Sequence, residues 1–197
     1  MALVEVVRDD RMNAAVGWLL LGIVALDGFY NLLRNVPLWG GFELLLVIVA
    51  SIPALAARDW TVTIPWLLSA VAALSVVART AGAPFEVTAY LAIATLALIV
   101  VVELEAFAPV ELSRRFAVFF AVLTTMAIQA LWTVAQFYSD RWLGTDFLHS
   151  QTELQWDFVV VTAVGVVLAG AYQVYVTRSE RADDGTRSTS DGGEGSV

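Results

Sequence analysis

The chain has no cysteine, which excludes disulfides, zinc–thiolate sites and thiol catalysis and leaves the redox compartment unread. It has no lysine either, so all eleven basic residues are arginine. Against 19 acids they give a formal net charge of −8, which argues against a nucleic-acid partner, because phosphate backbones are held by basic surfaces. Histidine occurs once, at His149. One imidazole cannot build a His-Glu-x-x-His metal helix, and it offers no Ser-His-Asp order worth defending. A Gly-rich phosphate loop and a nucleophile elbow are also missing.

Apolar length is what the sequence has in quantity. With 59% hydrophobic residues, 15% charged residues and a mean hydropathy of +0.75, the composition lies outside the range of soluble domains. It reads as all-α, a polytopic membrane protein built as a six-transmembrane-helix bundle. The expected spans are Ala14–Leu33, Leu38–Ala57, Val62–Ala78, Val87–Leu104, Phe116–Phe137 and Trp156–Val176. All but the third approach the roughly 20 residues a helix needs to cross a bilayer core. Pro65 suits the first turn of the third helix, whereas Pro53 lies inside the second and should kink it. Residues 1–13 form a short N-terminal segment. Residues 177–197, acidic and rich in Gly, Ser and Thr, cannot bury enough surface to order themselves and are expected to be a disordered tail.

Six spans put both termini on one side. That side carries Arg8, Arg11, Arg58, Arg114, Arg115, Arg178, Arg181 and Arg187, and the other only Arg34, Arg79 and Arg141. The positive-inside rule then predicts a multi-pass protein of the plasma membrane with cytoplasmic N and C termini, contacting membrane lipids. The first span runs on into "ALDGFYNLLRN" without a small-residue cleavage pattern and is read as an uncleaved helix. Trp39, Trp60, Trp66, Trp142 and Trp156 fall near span ends, where an amphipathic ring prefers to sit, and Trp132 lies deep. Small-residue faces at Ser69-x-x-x-Ala73 and Gly165-x-x-x-Ala169 permit close helix packing, within the chain or in a homo-oligomer.

Polar side chains inside the spans are the candidate site. Asp27, with Asn31 and Arg34 four and seven residues on, shares one helix face. Glu43 opens the second helix. Thr125, Gln129, Trp132 and Gln136 form a stripe on the fifth, and Asp157 starts the sixth. An acid in mid-membrane costs about 2.5–3.5 kcal/mol, so such groups should face the bundle interior and find partners. Asp27, Asn31, Glu43, Gln129, Gln136 and Asp157 are therefore candidates for ligand binding or proton exchange near the outer leaflet. The simplest structural alternative pairs Asp27 with Arg34 or Asn31. In "GTDFLHSQTELQWDFVVV", Asp146, Glu153 and Asp157 surround His149. His149, Glu153 and Asp157 would share a helix face if the helix began near Phe147, and would suit a divalent cation.

The segment "DFLHSQTELQWDFVVVTAVGVVLAG" resembles the last-helix signature of the YjdF-like family of small polytopic inner-membrane proteins. Glu153, Gln155, Asp157 and Gly165 stand at the matching places. "GFELLLVIVASIPALAARDWTVTIPW" is similar to that family's second and third helices, with Glu43, Pro53 and Pro65 in register. The chain departs from the pattern where the fifth helix begins, reading "ELSRRFAVFF" without the family's His, and it has Gln129 and Gln136 where the family has glutamates. A weaker likeness is to VanZ-like membrane proteins. The acidic, lysine-free, Ala/Val-rich composition resembles proteins of salt-loving archaea. Three functions follow as expectations. The first is a membrane protein whose outer pocket, lined by Asp27, Glu43, Gln136 and Asp157, binds a small polar ligand or cation. The second is a membrane-embedded enzyme acting on a lipid or cell-envelope substrate through Glu43, Glu153, Asp157 and His149. The third is a proton- or cation-coupled carrier using Asp27 and Asp157.

Overall fold

The computed structural model describes residues 10–107, 114–147 and 151–191, and every regular element among them is helical. In chain order these are α1 (Asp10–Leu33), α2 (Pro37–Ala50), α3 (Ile52–Ala57), α4 (Trp66–Thr80), α5 (Phe85–Phe107), α6 (Arg114–Leu143) and α7 (Gln151–Asp191). Four of them contain stretches long and apolar enough to cross a membrane: Arg11–Leu33, Phe85–Ala106, Phe116–Leu143 and Leu154–Arg178. α2 and α4 are apolar but shorter.

The departures from the sequence reading have local causes. The second apolar segment is two helices, because Pro53 has no N–H to give to the carbonyl of Val49 and the ladder breaks at Ser51. The Ser51 hydroxyl bonds back to the carbonyl of Val47 at 2.6 Å and its own carbonyl accepts from Leu55 N–H, so the chain resumes as α3. Pro65 stands just before α4 rather than in its first turn, with extended backbone (φ −53°, ψ 130°). The free N–H of Trp66 is capped from another helix, by Asn13 Oδ1 of α1 at 2.8 Å. α7 runs on to Asp191, through residues whose composition argued for a disordered tail. A helix already nucleated over a long apolar span adds one hydrogen bond per further residue without a new nucleation cost.

Three helices end in the same way. At the end of α1, Val36 N–H reaches the carbonyl of Asn31 and Asn35 N–H that of Leu32, with Asn35 left-handed at φ 59°. At the end of α4, Ala83 N–H reaches Ala78 and Gly82 N–H reaches Arg79, with Gly82 at φ 92°. α3 closes over Arg58 at φ 53°, with Asp59 N–H on the carbonyl of Ala54. These are Schellman closures, which satisfy the last carbonyls of a helix. They fix Asn31 and Arg79 in terminal turns at one end of the bundle. Beyond α3, the N–H and hydroxyl of Thr61 donate to Asp59 and hold its exposed carboxyl below the ordinary aspartate range.

The helices pack as two groups of three: α1 with α2 and α4, and α5 with α6 and α7. α5 joins them by also packing on α4 and α2, and 67% of its span is buried, against 28% or less in the other three. α1 and α2 touch at Gly28 and Gly40, where a Cβ on Gly40 would stand 2.6 Å from the carbonyl oxygen of Gly28. Gly165 of α7 lies against Thr125 of α6, and Ser69 and Ala73 of α4 are buried. Both small-residue faces are thus occupied within one chain. The α1–α2 turn, the α4–α5 turn and the end of α6 gather at what is here termed the head end.

Candidate functional site

Two polar groups of side chains occupy the head end, one in each half of the bundle. The first is ionic. Arg79, at the end of α4, donates to Asp27 of α1 and, at 3.0 Å, to Glu43 Oε1 of α2. Asn31, one turn beyond Asp27, gives its amide N–H groups to Asp27 Oδ2 at 3.0 Å and to Glu43 Oε2 at 2.9 Å. The close approach at Gly28 and Gly40 is what brings these two helices within hydrogen-bond reach. Glu43 is 3% exposed, whereas Asp27 and Arg79 are partly open, and Asp27 lines a broad apolar groove between α1 and α4. The guanidinium carbon of Arg79 stands 5.1 Å from the ring centre of Trp39, in cation–π contact. Two acids face one arginine here, an imbalance of one charge.

The second group lines a cleft between α5, α6 and α7 with a volume of about 240 Å³. That is below the roughly 300–1,000 Å³ of drug-sized sites and suits a small solute. Glu86 and Asp146 are exposed at its mouth, and Asp157 is half-buried. Tyr90 donates its hydroxyl to Asp157. Gln129 and Gln136 stand on the cleft wall, 2% and 9% exposed. Gln129 Oε1 is buried with no hydrogen-bond partner. The segment after α6 is tied down by Asp140, which accepts from the Thr145 hydroxyl at 2.7 Å and from Phe147 N–H at 2.9 Å. This tether sets Asp146 and Phe147 at the cleft, with Phe147 packed 6.2 Å from Phe85.

Aromatic rings divide the two groups. Trp39 meets Trp132 edge-on at 5.6 Å and Phe85 at 5.0 Å, and Phe42 packs on both tryptophans. One side of this wall carries Arg79, and the other faces the cleft through Trp132 and Phe85. Asp27, Glu43, Gln136 and Asp157, expected to line one pocket, are therefore divided, two to each side. Asp27 pairs with Asn31 as expected, but its cation is Arg79. Arg34 instead donates to the Tyr30 hydroxyl at 3.0 Å. Periodicity sees only partners on the same helix, so a cation supplied by a neighbouring helix escapes it. Trp39, expected at an interface, is 1% exposed in the wall, whereas Trp60, Trp142 and Trp156 are exposed.

The Thr125–Gln129–Trp132–Gln136 stripe is buried along its whole length. Glu86 and Tyr90, unremarked in the sequence, share a face of α5 at i, i+4 spacing, which is the signal that would have found them. For the divalent-cation reading, α7 begins at Gln151, while His149 and the Glu153 side chain lie outside the described residues. Among the described residues no three His, Cys, Asp or Glu side chains come together as a metal site. Far from the cleft, Glu103 of α5 is 7% exposed with Oε1 unpartnered, thirteen residues or about 20 Å along the helix from Tyr90.

Residues 1–63 match a family described as a domain of unknown function (DUF8268). The matched segment contains Asp27, Asn31 and Glu43 but neither Arg79 nor the cleft. No curated protein and no solved structure matches the chain.

Proposed function

We propose that the chain is a six-span membrane protein with cytoplasmic termini that binds a small polar solute in the cleft between α5, α6 and α7, open toward the outer face. The observation that carries this reading is Gln129. A buried amide oxygen without a partner costs about 1–3 kcal/mol, and the side chain that bears it is part of the cleft lining. Trp39 Nε1, Trp66 Nε1, Ser69 Oγ and Glu103 Oε1 are buried and unpartnered too, but of these residues only Gln129 lines the cleft. Calorimetric titration of the detergent-purified protein with glycerol, acetate, glucose and choline tests it. At least one should bind, and Gln129→Leu should abolish that binding while raising thermal stability, since it removes the orphaned acceptor. If none of the four gives saturable heat, the reading falls.

A second reading, a proton-coupled carrier, is favoured by the charge imbalance at Asp27, Glu43 and Arg79. A proton on either carboxyl would balance the cluster, and its release would leave a buried net negative charge. The cluster lies one aromatic layer from the cleft, so a change in Arg79 could reach Trp132 through Trp39. Proteoliposomes loaded with a pH dye, exposed to whichever solute binds, would report uptake and proton movement in the same vesicles. Uptake without a pH signal would leave an uncoupled carrier, and no uptake a binding protein.

A further inference from the structure

We propose that the solute is an organic ammonium that also carries an N–H or O–H donor. It is held between the carboxylates of Asp157 and Asp146 and the rings of Trp132, Phe85 and Phe147, with its donor on Gln129 Oε1. This rests on the cleft being a binding site, and names the chemistry of what it takes.

The sign of the lining comes first. Among the described residues its polar side chains are Glu86, Tyr90, Gln129, Gln136, Asp146 and Asp157, three of them carboxylic acids, with no arginine. Tyr90 already gives its hydroxyl to Asp157. Apart from the amide N–H groups of the two glutamines, the cleft therefore offers negative charge and acceptors, and its orphaned atom is an acceptor too. An anion would be repelled. A neutral polyol would meet the acceptors but leave the acids uncompensated. Across the aromatic wall, Arg79 is matched by the carboxyls of Asp27 and Glu43, so that cluster adds no net positive charge.

The character of the lining then selects among cations. A metal ion wants several oxygens converging at about 2.0–2.6 Å, and the described side chains bring no such set together. Four of the eleven lining residues are aromatic instead: Phe85, Tyr90, Trp132 and Phe147. Aromatic faces attract alkylated ammonium groups, whose charge is spread over carbons that are weakly hydrated. The acids are graded, with Glu86 and Asp146 exposed at the mouth and Asp157 half-buried, an arrangement that draws a cation inward. The uncharged amides of Gln129 and Gln136 are the most buried polar groups of the lining, and a hydroxyl or a second N–H would end there.

The test compares choline with its uncharged carbon isostere, 3,3-dimethylbutan-1-ol, by titration calorimetry on the full chain in detergent. Choline should bind at least about tenfold more tightly than the isostere. Asp157→Asn should lower choline affinity by about tenfold and leave the isostere unchanged. Glu86→Gln, at the exposed mouth where folding is not at stake, should weaken choline by about threefold at low salt and less at high salt. Equal binding of the two compounds, or a choline affinity unmoved in both variants, would overturn the ammonium proposal while leaving a cleft for neutral solutes. If choline fails but glycerol or glucose binds and Gln129→Leu abolishes it, the ammonium proposal alone is lost. Failure of every compound removes the binding-site reading with it.

Discussion

Arg79 holds the first half of the head end together, and its neighbours show why the position is sensitive. Its guanidinium answers two carboxylates and covers the Trp39 ring, while its place in the terminal turn of α4 lets the cation complement the helix dipole. Arg79→Met keeps most of the side-chain volume but leaves Asp27 and the buried Glu43 facing each other. Losing one partner of a buried pair typically costs about 3–5 kcal/mol. Thermal unfolding in detergent should show that loss, and adding Asp27→Asn and Glu43→Gln to the same chain should recover most of it. Recovery by the triple variant, rather than by either single neutralisation, is what distinguishes an ionic cluster from lost packing. Asp27, Asn31 and Glu43 could be picked out in the sequence because each is a polar residue inside an apolar run. Arg79 sits at the edge of such a run, where an arginine is ordinary, so nothing local distinguished it.

At the scale of the helices, glycine placement decides which polar groups can meet. α1 and α2 approach closely enough for Asn31 to bridge Asp27 and Glu43 only because neither Gly28 nor Gly40 carries a Cβ. Gly40→Ala would set a methyl group 2.6 Å from a backbone oxygen and force the helices apart. Overpacking of this kind costs about 1–3 kcal/mol. The variant should unfold at lower temperature, and combining it with Arg79→Met should cost less than the sum of the two, since both loosen the same contact. Gly41, next in sequence, has open space around it and serves as the control, where alanine should be tolerated. Helix periodicity correctly identified the buried stripe on α6, because a 3.6-residue repeat is a property of one element. The break at Ser51 was readable as a kink at Pro53, though not as two separate helices. The cap that Asn13 places on α4 was not readable, since it spans 53 residues of chain. The divided pocket was missed for the same reason: the wall between its halves is made by rings from α2, α5 and α6.

At the scale of the whole molecule, the number of crossings turns on the segment from α2 to α4. α4 has 15 residues, a rise of roughly 22 Å, which falls short of the roughly 30 Å hydrocarbon core. α2 and α3 together supply 14 and 6 residues, but with a break between them. If this stretch crosses, the Asp59–Thr61 turn lies on the cytoplasmic side with Arg58, thinning the bilayer or sitting slightly within its interface. If it dips and returns, that turn would share a side with the head end, and the chain would have four crossings. The absence of cysteine makes the distinction direct, because any introduced thiol is the only one to react. Val62→Cys reports on the turn before α4 and Leu143→Cys on the head end, both at exposed positions. With an impermeant maleimide on intact cells, Leu143→Cys should label at once and Val62→Cys only after permeabilisation. Labelling of both in intact cells would mean a re-entrant α2–α4 segment and four crossings. Labelling of Val62→Cys alone would invert the orientation and open the acidic cleft to the cytoplasm, so that it would gather cations from inside the cell.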